Sequence, residues 1–116
     1  MKFYSLKDNP PADGTWCLLR REDGYVQTQP RQYFEDETTR LETIGYVEYA
    51  VLPPHCADDP SGWLSEYWDD ELPEKDASCL VCTSDRKRMP FYAYFNAEQY
   101  RFMGGCDEAV FAYRYI

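Results

Sequence analysis

Cys79-Leu80-Val81-Cys82 has the spacing with which two thiols hold a zinc ion or cycle as a redox pair, and His55-Cys56 together with Cys106 offers further ligand atoms. The same His55 and Cys56 raise the question of nucleophilic chemistry, which needs a thiolate within hydrogen-bond reach of the imidazole and an oxyanion hole beside it. Both chemistries meet an obstacle in the local pattern. Residues 78–83 read as a strand, where positions i and i+3 point to opposite faces, so chelation there requires a turn. Adjacent residues such as His55 and Cys56 point apart in an extended chain, and no second Cys-x-x-Cys occurs. The expectation is therefore reduced, buried cysteines, with no metal, no cofactor and no catalytic residue. A small cysteine- and histidine-based accessory protein, metal-supported or enzymatic, is the alternative.

Carboxylates are the second source of chemistry. Between positions 58 and 76 stand Asp58, Asp59, Glu66, Asp69, Asp70, Glu71, Glu74 and Asp76, against one base, Lys75. Acid–base or glycosidic work needs two carboxyls whose environments push their pKa values apart, and clustered exposed acids lack that separation. A solvated acidic face fits better. Trp63, Leu64, Tyr67 and Trp68 are interleaved with the acid at the i, i+1, i+4, i+5 spacing that a helix gathers on one side. The residues expected to meet a partner are Asp58, Asp59, Glu66, Trp68, Asp69, Asp70, Glu71, Glu74 and Asp76. Trp63 and Tyr67 are expected in the core, and Trp68, beside Asp69, as an exposed anchor.

The charge of the whole chain agrees. A net −9 over 116 residues disfavours direct binding to nucleic acid or anionic lipid, both polyanions that need Lys and Arg. Arg86-Lys87-Arg88 near Phe91, Tyr92, Tyr94 and Phe95 is the one basic cluster with rings, a pattern that can bind single strands. Three charges against that total read instead as a solvated turn. The first eight residues lack the apolar core of a secretory leader, and no apolar run approaches spanning length, so a cytoplasmic protein is expected.

The elements that must position these groups read mostly as strands of one α+β domain, residues 1–116, with an antiparallel sheet. Phe3 to Leu6 is an edge strand, and Asn9-Pro10-Pro11-Ala12-Asp13-Gly14 a turn-bearing loop. Thr15 to Arg20 carries too many apolar side chains for a strand wet on one side. Asp23-Gly24 marks a hairpin returning through Tyr25 to Gln29. Glu35 to Glu42 reads as a polar loop, and Ile44 to Leu52 as a strand stopped by Pro53-Pro54. Asp59-Pro60 has the form of an N-cap and first helical residue, opening the one principal helix, about 60–71, before Pro73. Ser78 to Thr83, Met89 to Phe95 and Ala109 to Ile116 are further strands. Asn96 to Met103 reads as one or two helical turns ended by Gly104-Gly105.

Tyr4-Ser5-Leu6-Lys7-Asp8-Asn9-Pro10-Pro11-Ala12-Asp13-Gly14, Trp16-Cys17-Leu18-Leu19, Gly24-Tyr25, Tyr33-Phe34 and Val47-Glu48-Tyr49-Ala50-Val51-Leu52-Pro53-Pro54 together resemble the DUF551 family of small phage and prophage proteins. The resemblance covers residues 4–54, with Tyr49 where that family usually has Trp. It implies a small β-rich module of mobile elements with no catalytic residues to transfer. In such a setting, acidic proteins that disable host defences are a known class, anti-CRISPR proteins among them. The functional expectation is a non-enzymatic, phage-type inhibitor that binds a basic surface of a host nucleic-acid-processing protein, a CRISPR effector first, by standing in for nucleic acid.

Overall fold

A computed structural model describes residues 1–104 and 109–116. It is of the α+β class, with two antiparallel four-stranded sheets. The chain divides into two compact units, Met1–Leu52 and Pro53–Ile116, with the proline pair Pro53-Pro54 at the junction.

The first unit contains β1 (Tyr4–Ser5), β2 (Trp16–Arg21), β3 (Arg31–Gln32), α1 (Thr38–Thr43) and β4 (Tyr46–Val51). Its sheet runs β1-β4-β2-β3. Cys17, Leu18 and Leu19 are all buried, as the unbroken apolar run of β2 requires. Cys17 and Leu19 join Leu6, Tyr33, Leu41 and Tyr49 in one core, with Tyr4 and Tyr46 against it. The Tyr49 hydroxyl donates to the Asn9 carbonyl at 2.7 Å, which ties the proline loop to β4.

Two expectations for this unit are corrected. The Asp23-Gly24 turn forms, with Gly24 at φ +90°, but the returning segment makes a single bridge, Arg20 to Val26, instead of a strand over 25–29. The polar segment expected as a loop holds the helix. A 3-10 turn at Glu35–Glu37 runs into α1, whose one buried residue is Leu41. With a single apolar anchor the segment shows no helical stripe, and polar contacts compensate. The Thr38 hydroxyl donates to the Glu35 carbonyl at 2.9 Å, the Thr43 hydroxyl to Thr39 at 2.8 Å, and Arg31 pairs with Glu37 at 2.7 Å. Gly45, at φ +98°, follows the last turn in the left-handed conformation that releases a helix into β4.

The second unit contains β5 (Ala77–Thr83), β6 (Phe91–Asn96), β7 (Arg101–Met103) and β8 (Val110–Tyr115), in the order β7-β6-β5-β8. One face of this sheet gathers Cys79, Val81, Phe91, Ala93 and Tyr113, packed by Leu64, Leu72, Ala77, Phe102 and Val110. Alternation along β5 sends Leu80 and Cys82 to the other face. Residues 97–103 correct the expectation of helical turns. The Asn96 side chain accepts the Gln99 amide at 3.0 Å, Tyr100 sits at φ +57°, and the chain returns as β7. The expected helix end at Gly105 falls outside the described residues.

The expected helix over 60–71 is absent, and its place is taken by turns, a bridge and a 3-10 turn at Glu66–Trp68. Asp59 does act as a cap, accepting the Ser61 amide at 3.1 Å and hydroxyl at 2.6 Å, but the turn it starts stops at once. Gly62 at φ +80° and Asp69 at φ +66° leave the right-handed helical region at both ends. Between them Leu64 pairs with Tyr113 of β8, which requires an extended backbone. Trp63 is buried, as expected, and its indole N–H donates to the Pro54 carbonyl at 3.2 Å. Tyr67, expected in the core, is 62% exposed.

Candidate functional site

The backbone between Leu64 and Asp76 is fixed by its pairing to β8 and by one serine. Ser65 is buried; its hydroxyl donates to the Phe111 carbonyl at 2.5 Å and accepts the Tyr67 amide at 3.2 Å. The Asp70 carboxylate closes the loop by accepting the Ser65 amide at 3.2 Å. The Tyr113 hydroxyl donates to the Glu71 carbonyl, which holds the following acidic stretch against the sheet.

This arrangement makes a depression of about 560 Å³ lined by Asp70, Glu71, Glu74 and Asp76, with Lys75 the one base among them. Leu64, Leu72, Tyr113 and Tyr115 contribute its apolar part. A second depression of about 320 Å³ shares Leu72 and is lined by Glu66, Tyr67, Phe95, Tyr100 and Phe102, among others. Tyr67 stacks on Phe111 at 5.3 Å between centroids, and Trp68 meets the same ring edge-on at 5.6 Å. Trp68 is 38% exposed, so Phe111 supports it from beneath while part of the indole faces solvent.

The nine sequence-predicted residues therefore separate. Asp70, Glu71, Glu74 and Asp76 come together around one depression, and Glu66 lines its neighbour. Trp68 and Asp69 lie on and just after the 3-10 turn between them. Asp58 and Asp59 belong to the earlier turn over His55, whose carbonyl accepts both their amides. Several acids also have local structural roles. Ser61 hydrogen bonds hold the Asp59 carboxyl below its usual range, and Asp76 accepts the Ala97 amide at 2.8 Å. None of the eight acids is in an ion pair with a described residue, although the Arg114 charge also acts on Asp59 and Lys75 lines the depression.

The histidine and two of the cysteines meet in a different place. His55, Cys56 and Cys82 are all buried, and one ligand atom from each lies within 4.8 Å of the others. The Cys56 amide donates to the Cys82 sulfur at 3.4 Å, and the Ala57 amide to His55 Nδ1 at 3.0 Å. Nδ1 is thus the acceptor nitrogen, and Nε2 carries the hydrogen that is donated to the Thr83 carbonyl at 3.0 Å. Cys79 stands on the opposite face of β5, so the Cys-x-x-Cys motif does not converge. Cys106 lies outside the described residues. Burial pushes the Cys82 and Cys79 thiols up to about 12, the reverse of what a nucleophile needs.

Sequence reasoning missed the supporting set of Ser65, Phe111, Tyr113 and Tyr115. Its one available signal was the alternation of Phe111, Tyr113 and Tyr115 along β8. It also passed over a depression in the first unit lined by Asp13, Phe34, Glu35, Asp36 and Glu37. The basic cluster is a turn, as expected: Asp85 accepts the amides of Lys87 and Arg88, and the Arg88 guanidinium lies 4.0 Å over Phe91.

No family model matches the chain, and neither a curated protein nor a solved structure does. The resemblance over residues 4–54 rests on the sequence alone. Among the described residues no helix is long and apolar enough to cross a membrane.

Proposed function

We propose that this chain is a non-enzymatic binding protein whose acidic second-unit surface docks on a basic surface of a nucleic-acid-processing protein and inhibits it by occupying the place of phosphate. The observation that carries the reading is the convergence of Asp70, Glu71, Glu74 and Asp76 on one depression that is partly lined by apolar side chains. Four carboxylates against the single Lys75 attract Lys and Arg rows over a Debye length and set a fast encounter. The half-exposed Trp68 beside them supplies a ring that a partner can desolvate. An enzymatic reading has less support, since the buried Cys82 thiol is disfavoured as a thiolate and both His55 nitrogens are engaged by backbone groups. The DUF551-like segment adds a phage setting, by analogy, and with it the host cytoplasm and a CRISPR effector as the first partner to try.

The test is displacement of labelled DNA from a purified DNA-binding CRISPR effector by the wild-type chain and by a Glu71→Lys/Glu74→Lys double variant. Both side chains are exposed, so the variant should fold normally. Wild type should displace DNA, the variant about tenfold less well, and the effect should weaken as salt rises. Absence of displacement, or displacement indifferent to both salt and charge reversal, rejects the reading.

A further inference from the structure

We infer that His55, Cys56 and Cys82 form a binding site for a single thiophilic d10 cation, zinc being the ion to which the donor set commits. The inference is independent of the acidic surface.

Its first support is composition and position. Two thiols and an imidazole are the donors that zinc takes, and here they come from a loop and from β5, two segments distant in sequence. A zinc ion with bonds of about 2.3 Å to sulfur and about 2.0–2.1 Å to nitrogen separates its ligand atoms by about 3.5–3.8 Å. The three donors are within 4.8 Å of one another, with Cys56 Sγ 3.9 Å from His55 Nδ1, so a closure of about 1 Å or less suffices.

The second support lies around the donors. Histidines that ligate a metal through one nitrogen commonly give the other nitrogen's hydrogen to a backbone carbonyl, which fixes tautomer and ring direction. The His55–Thr83 hydrogen bond has that form and leaves Nδ1 as the acceptor nitrogen, 3.9 Å from the Cys56 sulfur. The Cys56 amide already points at the Cys82 sulfur, a donor that stabilises negative charge on a thiolate. At present the Ala57 amide occupies Nδ1, and ligation replaces that hydrogen bond with the metal bond.

The step balances without any electron transfer. Two thiols lose their protons to solvent, the imidazole binds as the neutral ring, and the cation takes two thiolates and one nitrogen, with water as the fourth ligand.

Cobalt(II) is the probe, because a thiolate ligand gives it a sulfur-to-metal charge-transfer band and tetrahedral geometry gives strong visible bands. The reduced, metal-stripped wild-type chain should take up one cobalt per molecule with both signatures, and one equivalent of zinc should bleach them. Cys56→Ser and Cys82→Ser should each lose the charge-transfer intensity of one thiolate and most of the affinity, whereas Cys79→Ser and Cys17→Ser should retain the full spectrum. If the wild-type chain shows no thiolate band with cobalt, the site does not exist, and this arm needs no variant that folds. A full band in both Cys56→Ser and Cys82→Ser, or its loss in Cys79→Ser, overturns the assignment equally.

Discussion

Leu64 and Tyr113 exchange two backbone hydrogen bonds, each 2.8 Å, and this one antiparallel bridge decides the form of the whole acidic segment. It holds Leu64 extended on the edge of β8, where the side chain packs on the core face of the second sheet. A helix through Leu64 would have to break both bonds and withdraw Leu64 from Tyr113. Downstream, the same alignment brings Ser65 onto the Phe111 carbonyl and Glu71 onto the Tyr113 hydroxyl, so the carboxylates that follow are displayed by β8.

The two tryptophans should respond differently to truncation. Trp63 is 4% exposed and hydrogen-bonded, so Trp63→Ala leaves a cavity and strands the Pro54 carbonyl, at a cost of about 3–5 kcal/mol. Trp68→Ala removes a half-exposed ring lying against Phe111 and should cost about 1 kcal/mol. Urea denaturation of both variants checks this order. In the DNA-displacement assay Trp68→Ala should weaken inhibition by tenfold or more if the ring is the anchor (about 1.4 kcal/mol). Unfolding as severe as that of Trp63→Ala would make Trp68 a packing residue.

Gly62 should resist replacement for two reasons. Its backbone is left-handed, and a Cβ there would come within 2.8 Å of the Arg114 guanidinium, which lies 5.2 Å from the Trp63 ring centre. The arginine can swing away, so the backbone strain of about 1–2 kcal/mol is the larger part of the cost of Gly62→Ala. Gly24, equally left-handed but with open space around its Cβ position, should show the strain alone. Thermal melts of both variants compare the two, and a smaller loss at Gly62 than at Gly24 would contradict the geometry.

Stability should fall in alkali. Burial pushes the Cys17 thiol up to about 11, with Arg31 pulling it partly back, and burial pushes Cys79 up to about 12. The unfolded chain releases these protons from about pH 8.5, whereas the folded chain keeps them, so above that pH the folded state binds more protons and unfolding becomes easier. The stabilisation is complete below about pH 8.5 and is lost as pH rises towards 11–12. Burial shifts the Tyr113 hydroxyl in the same direction and steepens the loss above pH 10. Urea midpoints across this range, in wild type and in a Cys17→Ala variant, measure it. The variant should show a shallower decline, and an identical decline would assign the effect to other groups.

The strands were legible where side chains alternate. β5 and β8 carry apolar side chains at short range, and their predicted bounds fall within a residue or two of the observed ones. β2 announced its burial on both faces through Cys17-Leu18-Leu19. The helix was not legible. Thr38–Thr43 has one buried side chain, Leu41, and a stripe of one residue has no period to read. Residues 60–71 gave the opposite error, because the Asp59 cap is real but one capped turn is too short to outweigh a pairing made elsewhere in the chain.

For this protein the sequence by itself determined the class and the chemistry available: an α+β chain with antiparallel strands, net −9, with its acid concentrated between Asp58 and Asp76. Charge and alternation are local properties that can be read residue by residue. Tertiary structure alone decided which acids share a depression, that Trp63 is inside while Tyr67 is out, and that Cys82 meets Cys56 and His55 instead of Cys79. Each of those outcomes depends on the register of β5 and β8 against a segment far away in the chain. Register is set by the sum of many packed contacts, which no short stretch of residues carries.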